Sequence, residues 1–138
     1  MKQILFATAL ALSAALAGPV TAQVEPGEAI QDVITRQFDA FIAEDVDEAW
    51  TYASPGIQAM FGSPGRFGAM VEQGYPMVYA PSETRFLDLR EMNGDLWQRV
   101  LVRDGAGTYH LLDYRMVELD GMWRIAGVQL IREAGVGA

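Results

Sequence analysis

The chain has 138 residues, a net charge of −8 at pH 7 and no cysteine. The lack of cysteine excludes disulfide bonds, thiolate metal sites and cysteine nucleophiles. The negative charge disfavours binding to nucleic acid and to anionic membrane surfaces, and the length is that of one domain.

The N-terminal segment has the features of a secretory signal peptide. Lys2 is basic, residues 4–17 are almost all apolar, and Val20-Thr21-Ala22 ends in small residues. The apolar run is shorter than the ~20 residues that span a bilayer. We therefore expect cleavage after Ala22, a periplasmic or secreted protein without membrane insertion, and a single domain over 23–138. Cleavage removes Lys2 and leaves 9 arginines against 18 acidic residues, a net charge of −9.

Helical signals occupy the first half of the domain. From Glu28 to Ile42 apolar residues recur every three or four positions, which predicts a helix with one face in the core. Asp45, Ser54 and Ser63 are predicted N-caps of a second short helix, a short turn and a further helix. Two additional features are predicted: Gly74 closes the last helix in the left-handed conformation, and residues 75–81 form a connector.

The second half reads as four strands joined by tight turns. The turn signals are Asn93-Gly94, Asp104 to Gly107 and Asp120-Gly121, and each offers the positive φ that hairpins need. The sequence thus predicts an α+β fold in which N-terminal helices pack on a four-stranded antiparallel sheet.

The faces of this sheet depend on the length of the middle turn. We place Arg103 opposite Thr108, which makes both faces largely apolar. The helices cover one face, and we expect a second copy of the chain to cover the other. If this turn were longer by one residue, every side chain after it would lie on the other face of the sheet. With the chosen register, one aromatic face carries the candidate site residues Asp88, Arg99, His110, Tyr114 and Gln129.

Four segments resemble a known family: Ala53 to Ile57, Gly74 to Tyr79, Gln98 to Val102 and Trp123 to Leu130. They are similar to the small exported bacterial family called domain of unknown function 4864, over essentially the whole chain after residue 22. The order of elements also resembles the nuclear transport factor 2-like (cystatin-like) superfamily. These resemblances imply a curved sheet wrapped on the long helix as a cone, a pocket inside it and a homodimer through the outer sheet face. They imply no catalytic residue, because the family has no assigned activity.

Acid–base catalysis is the alternative function. Asp88 or His110 would act as the base, while Arg99 and Tyr114 stabilise charge, as in a small isomerase, hydratase or dehydratase. The favoured interpretation instead pairs Asp88 with Arg99 across strands and leaves His110 hydrogen-bonded at the sheet edge. Gly127 is expected opposite Tyr114, at a bend in its strand.

The favoured function is non-catalytic. The cone binds a small apolar or amphipathic ligand, or the domain serves an envelope partner, as a homodimer; assembly alone, with a filled cone, is a third possibility. We expect no cofactor and no metal, because the sequence has one histidine, no cysteine and no spaced carboxylate loop. The candidate ligand-binding residues are Trp50, Tyr75, Tyr79, Trp97, Tyr114 and Gln129. Aromatic residues at these spacings are more often simply part of the core.

Overall fold

A computed structural model gives the structure of residues 25–132. The predicted signal peptide and the glycine-rich C-terminal residues lie outside this range. Within it, no helix combines the length and the apolar character needed to cross a membrane. The elements, in chain order, are α1 (Pro26–Ile42), α2 (Val46–Thr51), α3 (Pro55–Phe61), α4 (Pro64–Gly74), α5 (Pro76–Tyr79), β1 (Glu83–Met92), β2 (Asp95–Arg103), β3 (Tyr109–Leu119) and β4 (Met122–Ile131).

The predicted α+β architecture is confirmed. The four strands form one antiparallel sheet in the order β1-β2-β3-β4, and the helices pack on one face of it. α1 supplies the centre of the core through Ile30, Ile34, Phe38 and Phe41, which are at most 3% exposed. Ile42 was predicted on the same stripe but is 58% exposed. It follows the buried Phe41 by about 100° around the helix axis, which turns its side chain away from the core.

Three helices begin at the predicted cap residues. Side-chain oxygens of Asp45, Ser54 and Ser63 accept hydrogen bonds from the backbone N–H three residues later, at 3.1, 3.3 and 3.2 Å. Each bond satisfies an N–H group that the first helical turn leaves unpaired.

The end of α4 differs from the prediction. Gly74 does not have a positive φ, and the helix is terminated by Tyr75, whose φ is −137°. The physical reason is Pro76, which disfavours the helical conformation for the residue before it. Pro76 then opens α5, so the segment predicted as a connector contains a short helix.

The middle hairpin is one residue longer than the register assumed. Arg103 lies opposite Tyr109 and not opposite Thr108. The Asp104 carboxylate organises the longer loop, since it accepts hydrogen bonds from the N–H groups of Ala106 and Thr108, both at 2.9 Å. β3 and the first part of β4, up to Ile125, therefore present the opposite faces to those predicted, whereas Gln129 shares the face of Arg99 as predicted.

This exchange corrects the predicted composition of the two faces. The inner face, against the helices, carries Gln98 opposite Tyr114, and both are fully buried. The outer face carries Arg99 opposite Asp113, with half-buried Trp97 beside them. The prediction that both faces are largely apolar is wrong, because charged side chains alternate with apolar ones on the outer face.

Two β-bulges interrupt the sheet, one between Phe86 and Leu89 and one between Arg115 and Met116. The second shifts the pairing by one residue, so Gly127 lies opposite Arg115 and the predicted Tyr114–Gly127 pairing is wrong. Bulges increase the local twist and bend the strand that carries the extra residue.

Candidate functional site

A cavity of about 300 Å³ lies between the helices and β4. This volume is at the lower end of the range for small-molecule sites, roughly 300–1,000 Å³. The walls come from α1, α3, α4, α5 and β4 and are mainly apolar. They include Phe41, Ile57, Phe61, Phe67, Met70, Val71, Val78 and Val128.

Backbone hydrogen bonds tie the helical layer to β4 beside this cavity. The Ser54 N–H donates to the Ile125 carbonyl at 2.8 Å, and the Ile125 N–H donates to the Tyr52 carbonyl at 2.9 Å. Ala126, the next residue, falls in the bulge, where pairing with β3 shifts. Ala126 and Val128 both line the cavity, so the cavity lies where the sheet bends away from its regular pairing.

Two polar side chains line the cavity, Gln37 and Tyr75. The amide nitrogen of Gln37, a residue only 4% exposed, donates to the Ala49 carbonyl at 3.2 Å. The Tyr75 hydroxyl donates to the Val128 carbonyl at 3.4 Å, which is long for a hydrogen bond. Among residues 25–132, no Asp, Glu, His, Lys or Arg side chain lines the cavity.

Tyr114 lies behind the cavity wall and is fully buried. It is opposite Val128 in the sheet, and its ring packs edge-on against Phe38 with 6.0 Å between centroids. Its hydroxyl has no hydrogen-bond partner in the described structure. Burial raises the pKa of this phenol, and the nearby Tyr75 adds to the effect, so Tyr114 is a neutral hydrogen-bond donor.

Of the predicted ligand-binding residues, Tyr75 lines the cavity. Trp50 and Tyr79 are part of the aromatic packing of the helical layer. Trp50 contacts Phe67 with 5.6 Å between ring centroids, and Tyr79 contacts Phe41 at 5.7 Å. These two aromatic residues therefore support the cavity wall from outside.

The other predicted ligand-binding side chains lie elsewhere. Tyr114 is buried behind the wall, while Trp97 and Gln129 are on the outer face of the sheet, opposite Arg115 and Asp113. Gln37 was missed, since on sequence it belongs to the polar positions of α1. The signal that could have found it is its place between the core residues Ile34 and Phe41.

The structure does not bring Asp88, Arg99 and His110 together in the cavity. Arg99 lies on the outer face and donates from Nε and Nη2 to the two carboxylate oxygens of Asp113, at 3.2 and 3.1 Å. Asp113 is thus the ion-pair partner of Arg99, in place of the predicted Asp88, because the corrected register sets Arg99 opposite Asp113. The neighbour of Asp88 is Arg90, with 3.6 Å between Oδ2 of Asp88 and Nη1 of Arg90.

His110 lies at the end of the middle hairpin. Its Nε2 is 2.9 Å from Oδ2 of Asp104. The hydrogen bond to His110, followed by that from the Thr108 N–H, lowers the pKa of the Asp104 carboxyl. The pair holds the loop together and lies outside the cavity.

The outer face carries a cluster of charged side chains, Arg90, Arg99 and Asp113, that was not predicted from the sequence. Arg90 Nη2 donates to Asp113 Oδ2 at 2.8 Å, so two guanidinium groups share one carboxylate whose side chain is 8% exposed. Burial alone raises the pKa of Asp113, but the hydrogen bonds from Arg99 and Arg90 outweigh it and lower the pKa. Both guanidinium groups bind this one carboxylate, so the cluster ties β1, β2 and β3 together.

Within residues 25–132, no group of three or more His, Asp or Glu side chains is arranged to hold a metal ion. The model of the family described as "Domain of unknown function (DUF4864)" matches residues 23–138. No curated protein matches the chain.

Proposed function

The chain belongs to the DUF4864 family, and we propose that it is a non-catalytic binding protein that holds a small apolar or amphipathic ligand in the cavity between the helices and β4. One observation carries the proposal: the cavity of about 300 Å³ is lined by apolar side chains with only Gln37 and Tyr75 as polar groups. An apolar wall with a few polar groups is typical of small-molecule sites.

The cavity volume sets the size of the ligand. A dry apolar cavity of about 150 Å³ binds benzene in other proteins. A cavity of about 300 Å³ is therefore large enough for a two-ring aromatic molecule or a short alkyl chain.

The positions of the ionisable groups favour binding over acid–base chemistry. A general base must lie within about 3 Å of the proton that it removes, or one water away. Arg99 lies on the outer face of the sheet, and Asp88 is exposed in the β1 bulge. His110 is bonded to Asp104 at the end of a hairpin. No observation in residues 25–132 therefore favours the isomerase, hydratase or dehydratase alternative.

We also propose where this protein is located and to which superfamily it belongs. The predicted signal peptide would place it in the periplasm or outside the cell. Helices followed by a bulged antiparallel sheet support membership of the nuclear transport factor 2-like superfamily. An envelope partner remains a further hypothesis.

We further propose a homodimer formed through the outer sheet face. The helices pack on the inner face, and the outer face carries Trp97, Leu101 and Leu111, which are half-buried, and Tyr109, which is 57% exposed. Light scattering on residues 23–138 should give twice the monomer mass, and Trp97→Asp should give the monomer mass. A monomer for the unaltered chain at micromolar concentration would contradict the dimer.

A fluorescence titration with naphthalene tests ligand binding. Met70 lines the cavity, so Met70→Trp should fill part of it and weaken naphthalene binding at least tenfold, with little change in the circular dichroism spectrum. Met122→Trp is the matched control, because Met122 is 55% exposed and lies outside the cavity. Absence of naphthalene binding, or equal binding by both variants, would refute the proposed site.

A further inference from the structure

Helix α3 differs from the other helices of residues 25–132 because it has no buried residue. α1, α2, α4 and α5 each place at least one residue in the interior, whereas every residue of α3 is half-buried or exposed. Segments with few buried contacts open at a lower free energy than the rest of a fold. The core therefore holds α3 less firmly than it holds the other four helices.

One side of α3 covers the cavity between the helices and β4. Ile57, Met60 and Phe61 line this cavity. Met60 is also 72% exposed to solvent, so it lies at the mouth of the cavity. A ligand that enters past Met60 has to pass this helix.

The two ends of α3 are held differently. At its start, Ser54 is only 5% exposed, and its N–H donates to the Ile125 carbonyl at 2.8 Å. At its end, Gly62 has a φ of +81°, which glycine adopts without strain, and nothing packs against the position of a Cβ atom there. α3 is thus anchored to β4 at one end and adjoins an unpacked glycine at the other.

Two side-chain contacts hold α3 against its neighbours. The Gln58 amide nitrogen donates to the Trp50 carbonyl at 3.0 Å. The ring of Phe61 packs against that of Phe67 with 6.0 Å between centroids. Gln58 and Phe61 are only half-buried, so both contacts can break without disrupting the core between α1 and the sheet.

We propose that α3 is a lid that moves about Ser54 and Gly62 to admit the ligand and then closes over it. This inference rests on the proposed function, because it specifies how the ligand enters the same cavity. A bound apolar ligand gives Ile57 and Phe61 a surface to pack on, so binding stabilises the closed position. Closure of this kind excludes water from a ligand and can limit the rate of its release.

The rates of ligand entry and exit test the lid. If both steps need α3 to open, a weaker closure accelerates both and leaves the affinity nearly unchanged. Gln58→Ala removes one hydrogen bond and keeps a good helix former. In stopped-flow fluorescence it should raise the association and dissociation rates of naphthalene by about three- to tenfold, the worth of one hydrogen bond.

Gln73→Ala is the matched control, because Gln73 is an exposed glutamine of α4 that does not line the cavity. This variant should leave both rates unchanged. Equal acceleration by the two variants would show that the effect of Gln58→Ala is not specific to α3 and would refute the lid.

Hydrogen exchange tests the opening of α3 in the chain without ligand. α2 is a suitable reference, because it is also a short helix with a side-chain cap at its start. The hydrogen-bonded amides of α3 should exchange about tenfold faster than those of α2, since α2 has a buried residue and α3 has none. Saturating naphthalene should slow the exchange of α3 and leave that of α2 unchanged.

The outcomes separate the lid from the binding function. If naphthalene does not bind the unaltered chain, the proposed function fails and the lid has no ligand to admit. If naphthalene binds but Gln58→Ala leaves both rates unchanged, or raises only the dissociation rate, α3 is a fixed wall and only the lid is refuted. Equal protection of α2 and α3 from exchange would also refute the lid while leaving the cavity as a binding site.

Discussion

Asp113 shows how one buried carboxylate can organise the outer face of a sheet. It accepts hydrogen bonds from Arg90 and Arg99 while almost shielded from solvent. Removing its charge deprives both guanidinium groups of their shared carboxylate and leaves Arg90 only the exposed Asp88. Loss of one partner of a buried ion pair is strongly destabilising.

At the residue scale we predict that Asp113→Asn lowers the free energy of unfolding by about 3 kcal/mol at pH 7. Urea denaturation measures this change. Asp88→Asn is the control, since the Asp88 side chain is 58% exposed and surface changes are usually within about 0.5 kcal/mol. Equal effects of the two substitutions would show that Asp113 is not the centre of the cluster.

The same carboxylate predicts a pH dependence. The pKa of Asp113 is lower in the folded chain than its ordinary value, so the folded state favours the ionised form. Its contribution to stability is complete above the ordinary carboxyl pKa of about 4 and is lost as pH falls through the folded-state pKa. The stability difference between the unaltered chain and Asp113→Asn should therefore shrink in urea titrations below pH 4. A constant difference down to pH 2 would contradict the ion-pair assignment.

At the scale of elements, α2 and α4 pack through a glycine. A Cβ atom built on Gly68 would lie 2.6 Å from Cγ1 of Val46, closer than real contacts allow. The helices approach here because position 68 has no side chain. Gly65, at the start of α4, has no atom within 4 Å of its Cβ position.

We predict that Gly68→Ala destabilises the chain by about 1–3 kcal/mol through overpacking, although alanine is the better helix former by about 1 kcal/mol. Val46→Ala should relieve the clash, so the double variant should regain much of the loss in a double-mutant cycle. Gly65→Ala is the matched control and should be neutral or stabilising in thermal denaturation. A Gly68→Ala variant as stable as Gly65→Ala would show that the helices are not in close contact.

The elements also show what the sequence can and cannot predict. Helix starts at Asp45, Ser54 and Ser63 were predictable, because a cap is a local interaction over three residues. The middle hairpin was not, because Asp104 to Thr108 contains two glycines and permits loops of four or five residues. Gly127 indicated a bend in β4, and the bulge lies at the adjacent Ala126. The β1 residues between Phe86 and Leu89 carry no such signal, and neither shift in pairing could be predicted.

The candidate site was predictable only in part for the same reason. Tyr75 lines the cavity as expected. It lies between α4 and α5, and its position depends on the local ends of these helices. Tyr114 was assigned correctly to an interior face, but Arg99 was placed with it on a register that the longer hairpin excludes. One extra residue in the loop thus places Asp113, and not His110 or Tyr114, on the same face as Arg99. No local sequence pattern reveals this change.

At the scale of the whole molecule, the charged side chains of residues 25–132 lie outside the cavity. The outer sheet face holds the Asp113 cluster, the hairpin end holds the His110–Asp104 pair, and the cavity between helices and β4 is lined by apolar residues. This division agrees with our proposal of a protein that holds an uncharged molecule.

Native mass spectrometry of the mature protein, purified gently from its own host, tests this central claim most directly. We predict a non-covalent mass in addition to that of the chain, lost on denaturation and absent from the Met70→Trp variant, whose cavity is partly filled. Met122→Trp should retain the extra mass. The bare mass of the unaltered chain would contradict ligand binding and favour an assembly role.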